Sequence, residues 1–256
     1  AHPAGLRQGD SRSRSPRPCH QEKHGLGVNI RYISTPVWSS KADKRLSNQF
    51  RQPLVLEKEV YGMIIKTDAI VLSLRKSTDN VSIAHLYTAH NGRMAFAVHG
   101  NKYKGMLTPL SRIEITATQR HGQSMGTLTD VALVGTPRHI VSDVKRQCVA
   151  IFIAEILTLT VRHPMQDEEL FAWLCGVIQA LDTNEHIENL HLQFLTDYTV
   201  FLGIGIDETE HPEWFVTPAS RQQRRQYLKE ICRYYEEHIE EFHEPKSLSV
   251  LMEVFD

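Results

Sequence analysis

Residues 81–99 read VSIAHLYTAHNGRMAFAVH, and this stretch decides the fold class. Its first part, residues 81–88, alternates in the period of two that is typical of a half-buried strand. Residues 93–99 alternate again, and one face of this run consists of Met94, Phe96 and Val98. Asn91-Gly92 lies between the two runs and is a strong hairpin signal, because both residues tolerate positive φ. The stretch therefore predicts two antiparallel strands joined by a tight turn.

Three more strand-like segments surround this hairpin. Residues 64–75 are rich in β-branched and aliphatic side chains, and residues 112–118 and 126–134 alternate in the same way. The last two segments are joined by the polar turn HGQS at residues 121–124. Five short antiparallel strands leave edges that must be protected, and a small closed barrel protects them. The OB-type barrel is the five-stranded solution, so we predict this fold for residues 63–138.

Beyond residue 138 the hydrophobic period changes from two to that of a helix. Ser142 and Asp167 are the expected N-caps of the first two helices, because their side-chain oxygens accept from free backbone N–H groups. The predicted helices cover residues 142–162, a segment that begins at Asp167, and residues 187–202, 218–243 and 247–255. The expected buried face of the first helix consists of Val144, Cys148, Ile151, Ile156 and Leu159. The predicted architecture is α+β and multidomain, with an N-terminal OB-fold β-barrel at residues 63–138 and an all-α helical domain at residues 139–256.

Residues 1–62 form no part of this predicted architecture. Residues 1–52 have no sustained period, and the run SRSRSPRP at residues 11–18 is too poor in apolar side chains to offset its ordering entropy. Three interpretations stay open: a disordered basic arm, a targeting segment rich in Arg and Ser, or upstream sequence outside the working protein. Met63 directly precedes the first strand pattern and is the expected start of the working chain. We therefore predict that residues 1–62 are a disordered or non-native basic extension.

The charge is distributed unevenly along a chain whose formal net charge is only −1. Residues 63–138 carry nine Lys or Arg against four Asp or Glu, whereas residues 139–256 carry nine against 21. Residues 1–62 carry eleven against five. A basic strand region joined to an acidic helical region is typical of a protein that binds a polyanion at one end and proteins at the other.

The cysteines and the apolar runs exclude several classes of protein. The four cysteines are far apart and form no CxxC pair, which argues against a disulfide framework and against a cysteine zinc site. The longest apolar runs are shorter than the ~20 residues that a membrane span needs, and no signal peptide is visible. The sequence therefore predicts a soluble cytoplasmic protein with reduced thiols.

No catalytic or metal-binding group emerges from the titratable residues. The 14 histidines are scattered. His186 and His191, for example, have a spacing that does not place both rings on one helical face. The acidic run at residues 236–241 is typical of the solvated face of a long helix. We predict a protein that is not an enzyme and has no cofactor. A metal hydrolase built from these residues is the rival class, and it would need bound metal.

The basic barrel carries the candidate nucleic-acid-binding residues. Residues 100–105, GNKYKG, form a flexible loop in which two cations flank Tyr103, so this ring is the best candidate for base stacking. The predicted set is Arg75, Lys76, Arg93, Lys102, Tyr103, Lys104, Arg112 and Arg120. Cations along the phosphate backbone and aromatic faces on the bases are the features of single-strand binders. A generic OB-fold protein that binds single-stranded nucleic acid, including RNA, is the alternative function.

An ordered series of short motifs resembles the RecO family of bacterial DNA-repair proteins. The motifs on the predicted barrel are residues 66–72 (KTDAIVL), the segment 86–93, Gly100 with Lys102 and Lys104, and Pro109-Leu110. The motifs on the predicted helices are residues 154–157 (AEIL), 169–171 (ELF), Phe194, Leu202-Gly203 and 246–251 (KSLSVL). The resemblance covers residues 63–256 and is carried by the order of many weak motifs.

This resemblance implies an OB domain packed on a helical domain that binds single- and double-stranded DNA without catalysis and anneals complementary strands. It further implies a nucleoid-associated protein that works with RecR to load the recombinase RecA onto DNA covered by single-strand-binding protein. The acidic, apolar C-terminal tail of single-strand-binding protein is then expected to dock on the helical domain.

Two departures from the family pattern change these expectations. Many family members carry a four-cysteine zinc module after the Leu-Gly step, whereas residues 207–217 contain no cysteine, so we predict no zinc. The family's basic residues before the phenylalanine that resembles Phe194 are replaced here by His191, Leu192 and Gln193. The remaining candidates for docking the tail are Lys145, Arg146 and His191.

Overall fold

The computed structural model describes residues 62–135, 137–162, 167–218 and 220–255. The predictions for residues 1–61 therefore concern a part of the chain outside the described residues. Within these ranges the strands come first and the helices follow, as the change of period predicts. No helix in these ranges is long and apolar enough to cross a membrane.

The five strands close into a barrel. They are β1 Gly62–Lys76, β2 Val81–Thr88, β3 Gly92–His99, β4 Arg112–Arg120 and β5 Met125–Leu133. Their order around the barrel is β1-β2-β3-β5-β4. Four of the five strand pairs are antiparallel, while the short pairing of β3 with β5 is parallel. The predicted five-stranded OB-type barrel is confirmed, and its one parallel pair differs from the purely antiparallel pattern expected.

Two glycines meet geometric demands of this barrel. Gly92 completes the β2–β3 turn with φ 63, a left-handed conformation that glycine adopts at little cost. Gly126 lies where β5 crosses Phe96 of β3, and a Cβ atom at this position would lie 2.9 Å from the Cδ1 atom of the ring. The absence of a side chain at Gly126 lets the two strands approach and close the barrel.

Two hydrophobic clusters stabilise the described part of the chain. One fills the barrel and includes Val71, Leu86, Phe96, Ile113 and Ile115. The other joins the helices and also takes in Ile70, Leu72, Tyr87 and Leu110 from the outside of the barrel. Because β1 and β2 contribute side chains to both clusters, the helices pack directly on the barrel wall.

The helical part consists, within the described residues, of six α-helices and one 3-10 helix. The helices are α1 His139–Ser142, α2 Val144–Thr160, α3 Glu168–Thr183, α4 Leu190–Phe201, α5 Arg221–His238 and α6 Leu248–Val254, with a 3-10 helix at Pro212–Phe215. The carboxylate of Asp167 accepts from the N–H of Leu170 and caps α3, as predicted. α5 ends earlier than predicted, because Ile239 is extended and Glu241 has a φ of 59.

The first predicted helix, residues 142–162, is divided in two in the structure. Ser142 is not its N-cap but the last residue of α1, and Asp143 caps α2 by accepting from the N–H of Lys145 at 2.8 Å. The predicted buried face is also wrong for Val144 and Ile151, which are exposed. α2 packs against β1, α3, α4 and α6, so apolar side chains occur on several of its sides and no single face is marked.

Candidate nucleic-acid interface

A groove of about 1040 Å³ separates the β2–β3 side of the barrel from the C-terminal end of α2. Its barrel wall includes Ile83, His85, Arg93, Met94 and Met125. Its helical wall includes Thr158, Arg162, Glu241 and His243. OB folds bind oligonucleotides on the face of strands 2 and 3, between the loop that joins strands 1 and 2 and the loop that joins strands 4 and 5. The groove therefore lies on the strand 2 and strand 3 face that OB folds use for oligonucleotides, which makes it the candidate interface.

Arg93, a predicted DNA contact, holds the two walls of the groove together. Its Nη1 atom donates to the carbonyl oxygens of Thr158 at 2.8 Å and Val161 at 2.7 Å, at the end of α2. Carbonyl groups in the last turn of a helix have no intrahelical partner and carry partial negative charge, so a guanidinium is well placed there. Burial, followed by the charge of Arg75, lowers the pKa of Arg93, but a guanidinium stays protonated in proteins.

Arg75 and Lys76 lie at the end of β1, beside the loop that joins β1 to β2. Both side chains are exposed, and Lys76 pairs with Asp79 at 2.9 Å. The charge of Arg75 is close enough to lower the pKa values of His85 and Arg93 in the groove. Arg75 is thus a solvent-accessible cation next to the groove.

His85 lies in the barrel wall of the groove and is half-buried. Burial lowers its pKa, and the charges of Arg93 and Arg75 lower it further. A histidine whose pKa lies below the ordinary value is neutral at pH 7. The groove therefore carries guanidinium groups beside an uncharged imidazole.

Tyr103 does not occupy the exposed position that its loop predicts. The residue is only 7% exposed and belongs to the hydrophobic cluster inside the barrel. Its hydroxyl donates to the carbonyl oxygen of Thr129 at 2.8 Å and accepts from the Nζ atom of Lys102 at 2.8 Å. Because a stacked base needs an open ring face, the predicted stacking role of Tyr103 is wrong. The ring anchors its loop to β5 instead.

The contacts of Tyr103 and Gly100 hold the loop of residues 100–105, with Lys102 and Lys104, at one end of the barrel. The N–H of Gly100 donates to the carbonyl oxygen of Asn80 at 2.9 Å, which joins the loop before β4 to the loop after β1. Lys102 is exposed, and Lys104 is half-buried. The hydrogen bond to Tyr103 raises the pKa of Lys102, so this cation is fixed in its charged form.

The two predicted arginines of β4 are separated from each other. Arg120 is exposed at the end of the strand, next to Gln119, which lines the groove. Arg112 lies instead at a smaller cavity formed with Ile178 and Asp182 of α3. Neither arginine is among the residues that line the groove, so the structure does not bring either of them into the candidate interface.

Two of the three predicted docking residues on the helices are buried. The guanidinium of Arg146 donates to the carbonyl oxygens of Leu181 and of Asn184, the latter at 2.7 Å, and thereby holds the end of α3. His191 is 1% exposed, and burial lowers its pKa to about 3, with a smaller contribution from Arg224. Neither side chain can contact a docked partner directly, so these two predictions are wrong. Lys145 is exposed, with its Nζ atom 5.6 Å from the ring centre of Phe255.

One pair of groove residues, Arg162 and Glu241, is not predicted by the sequence patterns. The Nη1 atom of Arg162 lies 2.5 Å from the Oε2 atom of Glu241, across 79 positions of sequence. Glu241 lies within the acidic run that was interpreted as a solvated helix face, but α5 ends before it. No local pattern reports such a distant pair. The pair could be suspected only if the sequence showed that α5 ends before Glu241, and the hydrophobic pattern does not show this.

Among the described residues, no three His, Cys, Asp or Glu side chains are grouped so that they hold a metal ion.

The closed barrel and the helices packed on its wall define the class of OB-fold proteins with an attached helical domain. The family model for the N-terminal part of recombination protein O matches residues 63–137, and that for its C-terminal part matches residues 141–213. Together the two models match more than half of the chain. The protein belongs to the RecO family of DNA-repair proteins.

Curated relatives agree with this assignment. The chain is 28% identical over 238 residues to the DNA repair protein RecO of Christiangramia forsetii, a match covering 75% of the chain and all of the relative. It is 27% identical over 245 residues to the protein of the same name from Porphyromonas gingivalis, with 76% of the chain and all of the relative covered. The corresponding protein of Bacteroides fragilis is 28% identical over 242 residues, again along its whole length. The resemblance seen in the sequence motifs is therefore confirmed at the level of the family.

Proposed function

We propose that this protein binds single- and double-stranded DNA on its barrel and acts as a non-catalytic mediator of recombinational repair. The observation that carries the proposal is the groove on the β2–β3 side of the barrel, where Arg162 lines one wall, Arg93 holds the two walls together and exposed Arg75 lies close by. Phosphate groups are bound by guanidinium groups through charge-assisted, often bidentate hydrogen bonds. The family to which the chain belongs acts in DNA repair, which supports the same substrate.

The distribution of charge supports the proposal better than its total does. Residues 63–256 carry 18 Lys or Arg and 25 Asp or Glu, so this part of the chain is negative as a whole. Binding of a polyanion must then depend on local cations, whose fields act over about 8–10 Å at physiological salt. We expect affinity to fall by about 0.7 log unit per log unit of salt for each single-strand phosphate neutralised.

In the proposed cellular role, the protein anneals complementary strands and works with RecR to load recombinase onto DNA covered by single-strand-binding protein. The acidic helical domain supplies the protein contacts of this role. Exposed Lys145 is the remaining candidate for a contact with the acidic tail of single-strand-binding protein, because it offers a cation at the surface, whereas the ring of Phe255 beside it is buried. Such a protein works in the cytoplasm at the nucleoid.

The proposal is tested by binding and annealing assays on the full chain. We expect Arg75→Glu to weaken binding of a fluorescent oligothymidylate about tenfold, which corresponds to about 1.4 kcal/mol. Arg221→Glu makes the same charge change at the exposed start of α5, and we expect less than a twofold effect. Equal losses in the two variants would contradict binding on the barrel.

Annealing distinguishes the proposed mediator from a general OB-fold binder. We expect the unaltered protein to accelerate pairing of complementary strands, both with and without single-strand-binding protein. A protein that binds DNA or RNA strands but does not accelerate their pairing would instead be a generic single-strand binder. An effect of added chelator on annealing would favour a metal-dependent activity.

A further inference from the structure

We infer that Glu241 is a built-in competitor of DNA, which occupies a phosphate-binding position on Arg162 and must be displaced when a strand enters the groove. The inference rests on the proposed DNA binding and adds a regulatory contact to the same site. Its starting point is the charge pattern of the groove. Among the described residues that line it, Glu241 is the only carboxylate, and it lies on the same wall as Arg162.

The contact itself has the geometry of anion recognition. The Oε2 atom of Glu241 lies 2.5 Å from the Nη1 atom of Arg162, and no other carboxylate is paired with this guanidinium among the ion pairs of the described residues. The side chain of Arg162 is 32% exposed and that of Glu241 is 78% exposed. A carboxylate and a phosphate present similar pairs of oxygen atoms to a guanidinium, so one can replace the other.

The backbone at Glu241 is held in an uncommon conformation. Its φ of 59 lies in the left-handed region, and in the described part of the chain Leu110 is the only other non-glycine residue with positive φ. A glutamate in this region is less stable than a glycine would be, and such conformations are typical of functional contacts. The conformation follows the extended residue Ile239, which ends α5 and turns the chain toward the groove.

The pair is weak enough to exchange. Exposed ion pairs contribute little net stability, because water screens the charges and two long side chains must be ordered. A DNA strand that also contacts Arg75 gains several phosphate interactions at once, and these offset the loss of the Arg162–Glu241 pair. A mononucleotide gains only one. The contact would therefore favour polymeric nucleic acid over free nucleotides and other small anions.

The test is fluorescence anisotropy of the full chain with a labelled oligothymidylate of about 20 nucleotides, longer than the roughly 4–16 that one OB fold covers. We expect Glu241→Gln to bind about threefold more tightly and to steepen the salt dependence by about 0.7 log unit per log unit of salt, the effect of one more phosphate contact. The Glu241→Gln,Arg162→Gln double variant should lose this gain.

Glu237→Gln is the matched control. It makes the same charge change and breaks an exposed Arg–Glu pair, that of Arg233 and Glu237 at 2.9 Å, but it lies outside the lining of the groove. We expect a smaller change of affinity and an unchanged salt slope. Glu241→Asn is a second variant, since asparagine adopts the left-handed conformation readily and preserves the fold if glutamine does not.

The outcomes separate this inference from the proposed function. If the unaltered protein binds the strand and Glu241→Gln behaves as Glu237→Gln does, Glu241 is no competitor and the inference is overturned, while DNA binding stands. If neither the unaltered protein nor the Glu241 variants bind, both are overturned. Tighter binding that occurs only in the Glu241 variants, and is lost on removal of Arg162, supports both.

Discussion

The strand ends of the barrel and the C-terminal ends of the helices α2 and α3 treat nearby arginines in different ways. On the barrel, Arg75 and Arg120 at the strand ends remain exposed to solvent. Where arginines meet helix ends, Arg93 is bound by the carbonyl groups that end α2, and Arg146 by those that end α3. Strand carbonyls in a closed barrel are already paired along the ladders, whereas the last turn of each helix leaves carbonyls free.

The difference shows which cations of such a protein are available to a ligand. A helix end competes with DNA for nearby guanidinium groups, and a barrel wall does not. A count of basic residues therefore overestimates the binding surface wherever helices pack against it. Four experiments compare positions fixed by packing in the helical part and in the barrel, from the largest expected effect to the smallest.

Removing the guanidinium of Arg146 should cause the largest loss of stability. Arg146→Met leaves the buried carbonyl group of Leu181 and the partly buried carbonyl group of Asn184 without their donor. We expect the free energy of unfolding to fall by about 2–3 kcal/mol in urea denaturation. Arg233→Met removes an exposed arginine of α5 and should cost about 0.5 kcal/mol or less. Equal losses would mean that α3 does not depend on this contact.

The second experiment uses the buried imidazole of His191. Its pKa of about 3 in the folded state lies below the ordinary value of about 6.5, so the unfolded chain binds a proton more readily as pH falls. The stabilisation is complete above about pH 6.5 and is lost progressively toward pH 3. At pH 5 we expect the unaltered protein to have lost about 2 kcal/mol more than His191→Gln, relative to pH 7. Parallel stability curves for the two proteins would show that His191 does not titrate on unfolding.

The third experiment disturbs the barrel closure. Gly126→Ala places a Cβ atom 2.9 Å from the Phe96 ring, and we expect a loss of about 1–2 kcal/mol in thermal or urea unfolding. Gly105→Ala is the control, because a Cβ atom at that position has no neighbour within 4 Å. We expect it to be neutral or slightly stabilising, since alanine reduces the entropy of the unfolded chain. If the two variants are equally stable, β3 and β5 are less closely apposed than the structure indicates.

The smallest expected effect concerns the anchor of the basic loop. Tyr103→Phe removes the hydroxyl that bonds to Thr129 and Lys102 but keeps the ring inside the barrel. We expect a loss of about 1 kcal/mol in stability and less than a twofold change in affinity for single-stranded DNA. A much larger loss of affinity would indicate that the hydroxyl, or the loop position it fixes, contacts DNA.

Much of the barrel is predictable from local sequence patterns. The alternation in residues 81–99 and the Asn91-Gly92 turn specify the β2–β3 hairpin, and β2 has the predicted bounds of Val81–Thr88. The period of two is informative here because each strand has one face inside the barrel. The parallel pairing of β3 with β5 depends on barrel closure, which no local pattern reports.

The candidate site is less predictable, because it is built from distant parts of the chain. Arg93 was identified as a cation, but its bonds to Thr158 and Val161 exist only once α2 packs on the barrel. Tyr103 has the sequence context of an exposed loop and becomes a core residue through contacts with β5. Sequence composition thus identified the basic surface, whereas packing decides which of its side chains a ligand can reach.

The sharing of side chains between the two hydrophobic clusters has a consequence for folding. Ile70 and Leu72 face the helices, while Val71 between them faces the barrel interior, so one strand serves both cores. A barrel truncated after residue 138 would expose Ile70 and Leu72 to water, and such an apolar patch favours aggregation. The two halves are therefore expected to unfold in one cooperative transition, so a destabilising change in a helix also weakens the barrel that it covers.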